Sequence, residues 1–282
     1  MTEPKRGGHT KDVIRRWWPT ALTIVGLVIL AIPVATDMHE SWQAQTSIAT
    51  IESEYDAMDQ KEIDELFQEA AAYDHDLLEG RHHEGKRYPE QLAWGSSDMM
   101  AHLSIPKLSL ELPIYHGTDE NTLMIGVGHL EGTTLPVGTV GGRCVLAAHS
   151  GLPHTRMFDD IQALVKGDRF VVWTLGRPMA YQVVESKVVT PDKSEELLPE
   201  DGRDLVTLVT CVPYNVNTHR LLVTGERCEY IEGEEDVPEM EAYVNRRTIP
   251  LLIGMAIVLV AGIVTRVIVA AHRRRKRTRK AA

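Results

Sequence analysis

Two apolar runs lie near the ends of this 282-residue chain, and they constrain where everything between them folds. The first, Trp17 to Ala35, carries no charge. The second, Ile249 to Ala271, is interrupted only by Arg266, about one turn from its end, where a long side chain can reach outward. Each comes close to or exceeds the roughly 20 residues that cross about 30 Å of hydrocarbon. Lys5, Arg6, Lys11, Arg15 and Arg16 precede the first run, and a tail of seven Lys and Arg between Arg273 and Lys280 follows the second. Trp17 and Trp18 suit a membrane interface. Basic flanks stay cytoplasmic, which makes residues 17–36 and 249–271 two expected transmembrane helices. Residues 1–16 and the basic tail 272–282 then lie in the cytoplasm, and residues 37–248 outside the cell membrane. A cleaved signal peptide competes for the first run, and Pro33-Val34-Ala35 matches its small-residue cleavage site only weakly.

The outer segment is acidic. Residues 37–248 hold 17 Lys+Arg against 38 Asp+Glu, a net charge of −21, whereas the whole chain carries −10. Such a surface repels phosphates and excludes nucleic acid as a partner. The basic tail suits anionic lipid of the inner leaflet, so the lipid bilayer itself is an expected partner. Three cysteines in an exported, oxidising setting leave at least one thiol unpaired.

Residues 37–100 read as a helical and turn-rich region. Ile48, Ile51, Tyr55 and Met58 fall at helical spacing. Asp59 with Glu62 three residues on resembles a capping box, and Ile63, Leu66, Phe67, Ala70 and Ala71 continue the period to Gly80. This is either a solvated stalk or a pair of helices packed on a core. His82, His83 and Glu84 lack a spaced partner and read as exposed loop, with no metal site and no cofactor expected.

From residue 101 to 230 the pattern changes to short β-type runs punctuated by Gly and Pro: Leu103–Ile105, Leu110–Tyr115, Arg143–Ala148, Arg169–Leu175, Ala180–Val189, Leu205–Thr210 and Arg220–Arg227. A helical insertion is expected near Met157–Val165. Seven or eight strands without long alternating helices predict a mainly β domain, a closed barrel. Residues 231–248 read as a linker.

Three reactive residues sit at strand ends. Cys211 closes the run Leu205–Thr210 just before Pro213, which stops the strand and leaves the thiol at a rim. A buried cysteine acting as a small hydrophobe is the competing reading. Arg220 opens the next strand. The short loop between them predicts a hairpin with Arg220 across from Cys211, where a fixed cation favours thiolate and can bond an oxyanion. A rim arginine paired with a carboxylate is the alternative. His149 follows the Arg143–Ala148 strand; His116, His129 and His219 are its competitors.

Thr207-Leu208-Val209-Thr210-Cys211, followed by Asn217-Thr218-His219-Arg220-Leu221-Leu222-Val223, resembles the active-site signature of the sortases. Ile105-Pro106-Lys107-Leu108, Leu112-Pro113-Ile114-Tyr115-His116-Gly117-Thr118 and Gly126-Val127-Gly128-His129-Leu130-Glu131-Gly132-Thr133 resemble the class C, pilus-assembling branch. The resemblance covers about residues 88–230. It implies an eight-stranded sortase-type β-barrel and a Cys–His–Arg site at Cys211, His149 and Arg220. The chemistry implied is transpeptidation: cleavage of an LPxTG-like sorting signal between Thr and Gly, then transfer to an amine. The implied partners are pilins or other surface proteins with such signals, the amine being a pilin lysine or, in anchoring branches, a peptidoglycan precursor. A membrane-tethered non-catalytic scaffold is the remaining alternative. Thr210 and Trp94 are the candidate substrate-binding or lid residues. The branch usually has an Asp-Pro-aromatic lid, a triplet this chain lacks, and an Arg after the catalytic His, where this chain has Ser150. Cys144 and Cys228, at the far ends of strands flanking that of Cys211, are a candidate disulfide.

Overall fold

The computed structural model describes residues 18, 20–29, 32, 46, 48, 50, 55, 57–93, 98–152, 156–213, 216–233 and 249–281. The chain divides into two units, His39–Pro238 and the paired terminal segments Met1–Met38 and Glu239–Ala282.

The larger unit is a closed eight-stranded barrel in the order β1-β2-β3-β4-β7-β8-β6-β5. The strands are β1 Met99–Ile105, β2 Leu110–His116, β3 Val127–His129, β4 Arg143–Ala147, β5 Arg169–Thr174, β6 Arg177–Val189, β7 Leu205–Val212 and β8 His219–Arg227. Closure leaves no sheet edge to pair with other chains. Most neighbours are antiparallel, but β2 with β3 and β4 with β7 run parallel. The β4–β7 pairing matters most for the site, because it joins segments far apart in sequence.

The strand runs read from the sequence reappear with one addition. β3 has three residues, too few for an alternating pattern to register. The expected helix near Met157–Val165 is instead a set of turns around a single 3₁₀ turn, Ile161–Ala163. Phe158, Ile161 and Leu164 are buried there at three-residue spacing, which eclipses on a 3₁₀ turn.

The barrel interior is filled by alternate residues, among them Val206 and Leu208 of β7, Leu221 and Val223 of β8, and Leu146 of β4. Phe170 and Tyr181 stack with ring centroids 5.7 Å apart. Gly225 of β8 makes that arrangement possible, since a Cβ there would lie 2.6 Å from two atoms of the Phe170 ring. Gly225→Ala is therefore expected to force the ring aside and cost about 1–3 kcal/mol. Thermal unfolding should show a lowered Tm, and an unchanged Tm would show that the ring has room to move.

α1, Gln60–Leu78, is capped by Asp59, whose side chain accepts from the Lys61 amide at 3.1 Å. Its buried stripe is Ile63, Leu66, Ala70 and Asp74. The first three, with Ile48 and Tyr55, join the core, so the region packs on the barrel and is not a solvated stalk. Ile51 lies outside the described residues. Asp74 accepts hydrogen bonds from the Leu135 amide at 2.8 Å and Thr139 Oγ1, pinning α1 to the loop before β4. Past Gly80 the chain folds back, and His83 sits between Asp76 (2.9 Å) and Glu69 (3.1 Å). Its ring nitrogens serve this clasp, and the two carboxylates raise its pKa, the Asp76 hydrogen bond most. A short helix α2, Glu120–Ile125, precedes β3.

In the other unit, residues 20–29 are helical and α3 runs Ile249–Ala281. Arg266 donates to Thr20 Oγ1. A Cβ on Gly262 would lie 2.8 Å from Thr23 Oγ1, and one on Gly26 3.7 Å from Val258 Cγ1. Rising numbers on one helix meet falling numbers on the other, so the pair is antiparallel. Among the described residues no helix is long and apolar enough to cross a membrane. The linker expected over 231–248 lies outside the described residues from 234 onward.

Candidate active site

Cys211 lies one residue from the end of β7, and Pro213, which has no N–H to offer a ladder, follows that end. In the β7–β8 hairpin Cys211 pairs directly with Arg220. Directly opposed residues share a face, so thiol and guanidinium project to the same side. That side is the outer one, since the alternate residues Val206 and Leu208 fill the interior.

On the other flank of β7, Ala147 of β4 pairs with Val209, and the Ala148 amide continues the ladder to Val209 O at 3.1 Å. Just past the end of β4, His149 is flanked by the Ala148 amide on Val209 O and the Ser150 hydroxyl on Cys211 O, which brings it alongside Cys211. His149, Cys211 and Arg220 thus form a row across β4, β7 and β8. At the usual inter-strand spacing each flanking residue is about 5 Å from the cysteine along the backbone.

Local contacts hold the row. The His149 carbonyl accepts from the Phe158 amide at 3.0 Å. Thr210 Oγ1 donates to Ala148 O at 2.8 Å, and Ser150 Oγ donates to Cys211 O at 2.5 Å. A cleft beside the thiol is lined by Ser150, Phe158, Asp159, Gln162, Val212 and Leu221. Thr210, buried at 3% exposure, also borders it.

The competing histidines have other employment. His129 is fully buried, and burial pushes its pKa down to about 4. Its Nε2–H donates to Thr134 O at 2.9 Å while Nδ1 faces Tyr88 OH at 3.0 Å. His116 donates from Nε2 to Gln91 O at 2.8 Å. His219 meets Thr218 Oγ1 at 2.9 Å, on the opposite strand face from Arg220. His149 differs: its Nε2 is buried and has no hydrogen-bond partner among the described residues. An imidazole nitrogen left open is what a proton-transfer group needs.

Arg220 is equally uncommitted. Its Nη1 donates to Asn217 O and His219 O, both at 3.2 Å. Among the described residues it forms no ion pair, so pairing with a rim carboxylate does not account for it, despite the acidity of the surrounding chain.

Arg143 is a residue that sequence reasoning passed over. It is 5% exposed on the outer face of β4, bonded to Thr207 Oγ1 at 2.8 Å, Leu198 O at 2.8 Å and Glu200. The β6–β7 loop starts beside Arg220, where Val189 pairs with it, and ends beside Arg143, where Leu205 pairs with it. Arg143 therefore ties that loop along the face that carries Cys211. A buried arginine looks like any other charge in sequence, and its position at a strand start was the only signal.

Trp94 lies outside the described residues. No disulfide joins Cys144 to Cys228 in the structure. The strands bearing Cys144 and Cys228 do flank β7. That order itself separates them, because two inter-strand steps span about 10 Å, beyond the roughly 7 Å a disulfide tolerates between Cα atoms. Among the described residues no cluster of His, Cys, Asp or Glu could hold a metal ion.

A family model described as a sortase domain matches residues 103–228. The chain is 36% identical to the crystal structure of sortase C1 from Streptococcus agalactiae, with a TM-score of 0.62, covering 66% of this chain and all of that one. It is 40% identical to a sortase C from Clostridium perfringens solved with the C-terminal cell wall sorting motif, with a TM-score of 0.61 and the same coverage. It is also 28% identical over 206 residues to sortase A of Bacillus anthracis, covering 73% of this chain and 90% of that protein.

Proposed function

Because the chain belongs to the sortase family of cysteine transpeptidases, we propose that it is held in the cell membrane and joins pilin subunits by cleaving an LPxTG-like sorting signal. The observation that carries this reading is the row of His149, just past β4, with Cys211 and its directly paired Arg220. The Cys211 thiolate attacks the carbonyl carbon of the Thr–Gly bond. Arg220 stabilises the oxyanion of the tetrahedral intermediate. As the C–N bond breaks, His149 gives its proton to the leaving amine, and a thioacyl enzyme remains. An incoming pilin lysine amine attacks the thioester, passes its proton to His149, and releases the cysteine. The similarity to class C sortases, one of them solved with a sorting motif, favours a pilin lysine over a peptidoglycan amine.

The two apolar runs support the membrane reading. Exposed Leu22, Val25, Val28 and Ile29 on one helix, and Ile253, Ile257, Val260, Ile263 and Val267 on the other, would cost free energy in water and none in lipid. The antiparallel pairing suits a topology with both termini cytoplasmic and the catalytic domain outside.

The full chain in detergent, incubated with an LPxTG-type peptide, is expected to release the fragment after Thr. It should transfer the acyl group to a pilin domain in preference to a glycine amine. Preference for the glycine amine would reassign it to wall anchoring, and absence of cleavage would favour a scaffold.

A further inference from the structure

The β4–β7 ladder loses its backbone rungs just where the reactive residues begin. In the parallel register the Ala148 amide donates to Val209 O. The next rung would take the Ser150 amide to Cys211 O, at the same offset along both strands. That acceptor is instead taken by the Ser150 side-chain hydroxyl at 2.5 Å. One residue away the exchange is reciprocated, with the Thr210 hydroxyl donating to Ala148 O at 2.8 Å. Each hydroxyl belongs to a neighbour of one reactive residue and grips the backbone of the other's segment. From the far side, the Gly151 amide donates to Asp159 Oδ1 at 2.7 Å and the Phe158 amide to His149 O at 3.0 Å. The 148–151 segment is thereby held from two directions, with Ser150 the contact made directly to the nucleophile's own backbone.

We propose that Ser150 is a positioning residue of the transpeptidase: its hydroxyl replaces the missing β4–β7 rung and sets the spacing between the His149 imidazole and the Cys211 thiol. The proposal rests on the reading of Cys211 and His149 as nucleophile and proton carrier. A hydroxyl differs from an amide in one respect useful here. It lets the backbone of residue 150 turn away from β7, so the chain can enter the loop to β5 while the rung is kept. Without it, Cys211 O has no donor on that edge, and the two segments are free to part by the few tenths of an ångström that proton transfer does not tolerate.

The test uses the full chain with Ser150→Ala and Ser150→Thr. Two readouts are taken: cleavage of an LPxTG-type peptide, and the pH profile of Cys211 alkylation by iodoacetamide. Ser150→Ala is expected to lower kcat roughly ten-fold with KM within about two-fold, and to shift the alkylation profile. Ser150→Thr, which keeps the hydroxyl, should restore both to near wild type. The proposal is overturned if Ser150→Ala leaves kcat and profile unchanged, or if Ser150→Thr loses as much as Ser150→Ala. If the wild type cleaves no peptide, the transpeptidase reading fails by itself, and the alkylation profile still decides whether the hydroxyl sets the environment of the thiol.

Discussion

Replacing Arg220 with alanine is expected to slow thioacyl formation by about 10²–10³-fold, the loss seen when one oxyanion donor is removed from a preorganised site. The guanidinium faces the same side as Cys211 from the directly paired position of β8. It is restrained only by two carbonyls at 3.2 Å and carries no ion pair among the described residues. Its remaining donors are available to a substrate. Arg220→Lys should fall between alanine and wild type, since it keeps the charge and loses the planar fork. Mass spectrometry of the thioacyl adduct after rapid quench measures the rate. An alanine variant within about three-fold of wild type would reduce Arg220 to a surface residue. Cys211→Ala supplies the baseline, because no adduct can form.

The second large effect concerns stability. Burial raises the Asp74 pKa to about 7 from its ordinary 3.8, against hydrogen bonds from Thr139 and the Leu135 amide that favour the charged form; the nearby Asp204 adds to the rise. The folded state therefore binds more protons than the unfolded one between those two pH values. The stabilising contribution is fully present below about 3.8 and is lost as pH rises through about 7. The full span corresponds to about 4 kcal/mol as an upper figure. Asp74→Asn removes the titration while an amide oxygen can still accept from the Leu135 N–H. The variant is expected to unfold at higher temperature than wild type at pH 8, with a flatter dependence of Tm on pH between 5 and 8. An equal pH slope in both proteins would show that Asp74 is already ionised in the folded state over that range, its pKa not raised by burial.

Much of the barrel and of its reactive row was legible because hairpins are local. The offset from Cys211 to Arg220 across one short loop nearly dictates their pairing, and β-branched runs ended by Gly or Pro mark their own limits. Parallel contacts were not legible in that way. β2–β3 and β4–β7 have no turn to count across, so the opposition of His149 and Cys211 came from resemblance and only then from register. Asp74 continued the spacing of Ile63, Leu66 and Ala70, yet a carboxylate on an apolar stripe reads as a solvated position until its partners are known. The candidate disulfide marks the same limit: the sequence can suggest which strands flank β7, but the roughly 10 Å across it is a property of the assembled sheet. Ser150 stood out only as a departure from the family pattern, and its bond depends on where β4 leaves the sheet.

The row across β4, β7 and β8 also orders events in time. Thiol and guanidinium belong to one hairpin and can meet as soon as that hairpin forms, at small loop-closure entropy. The imidazole arrives from a strand that pairs in parallel across a long separation, a slower and later contact. A folding chain thus carries a cation beside its cysteine before it carries the imidazole, and the row is complete only when the barrel has closed.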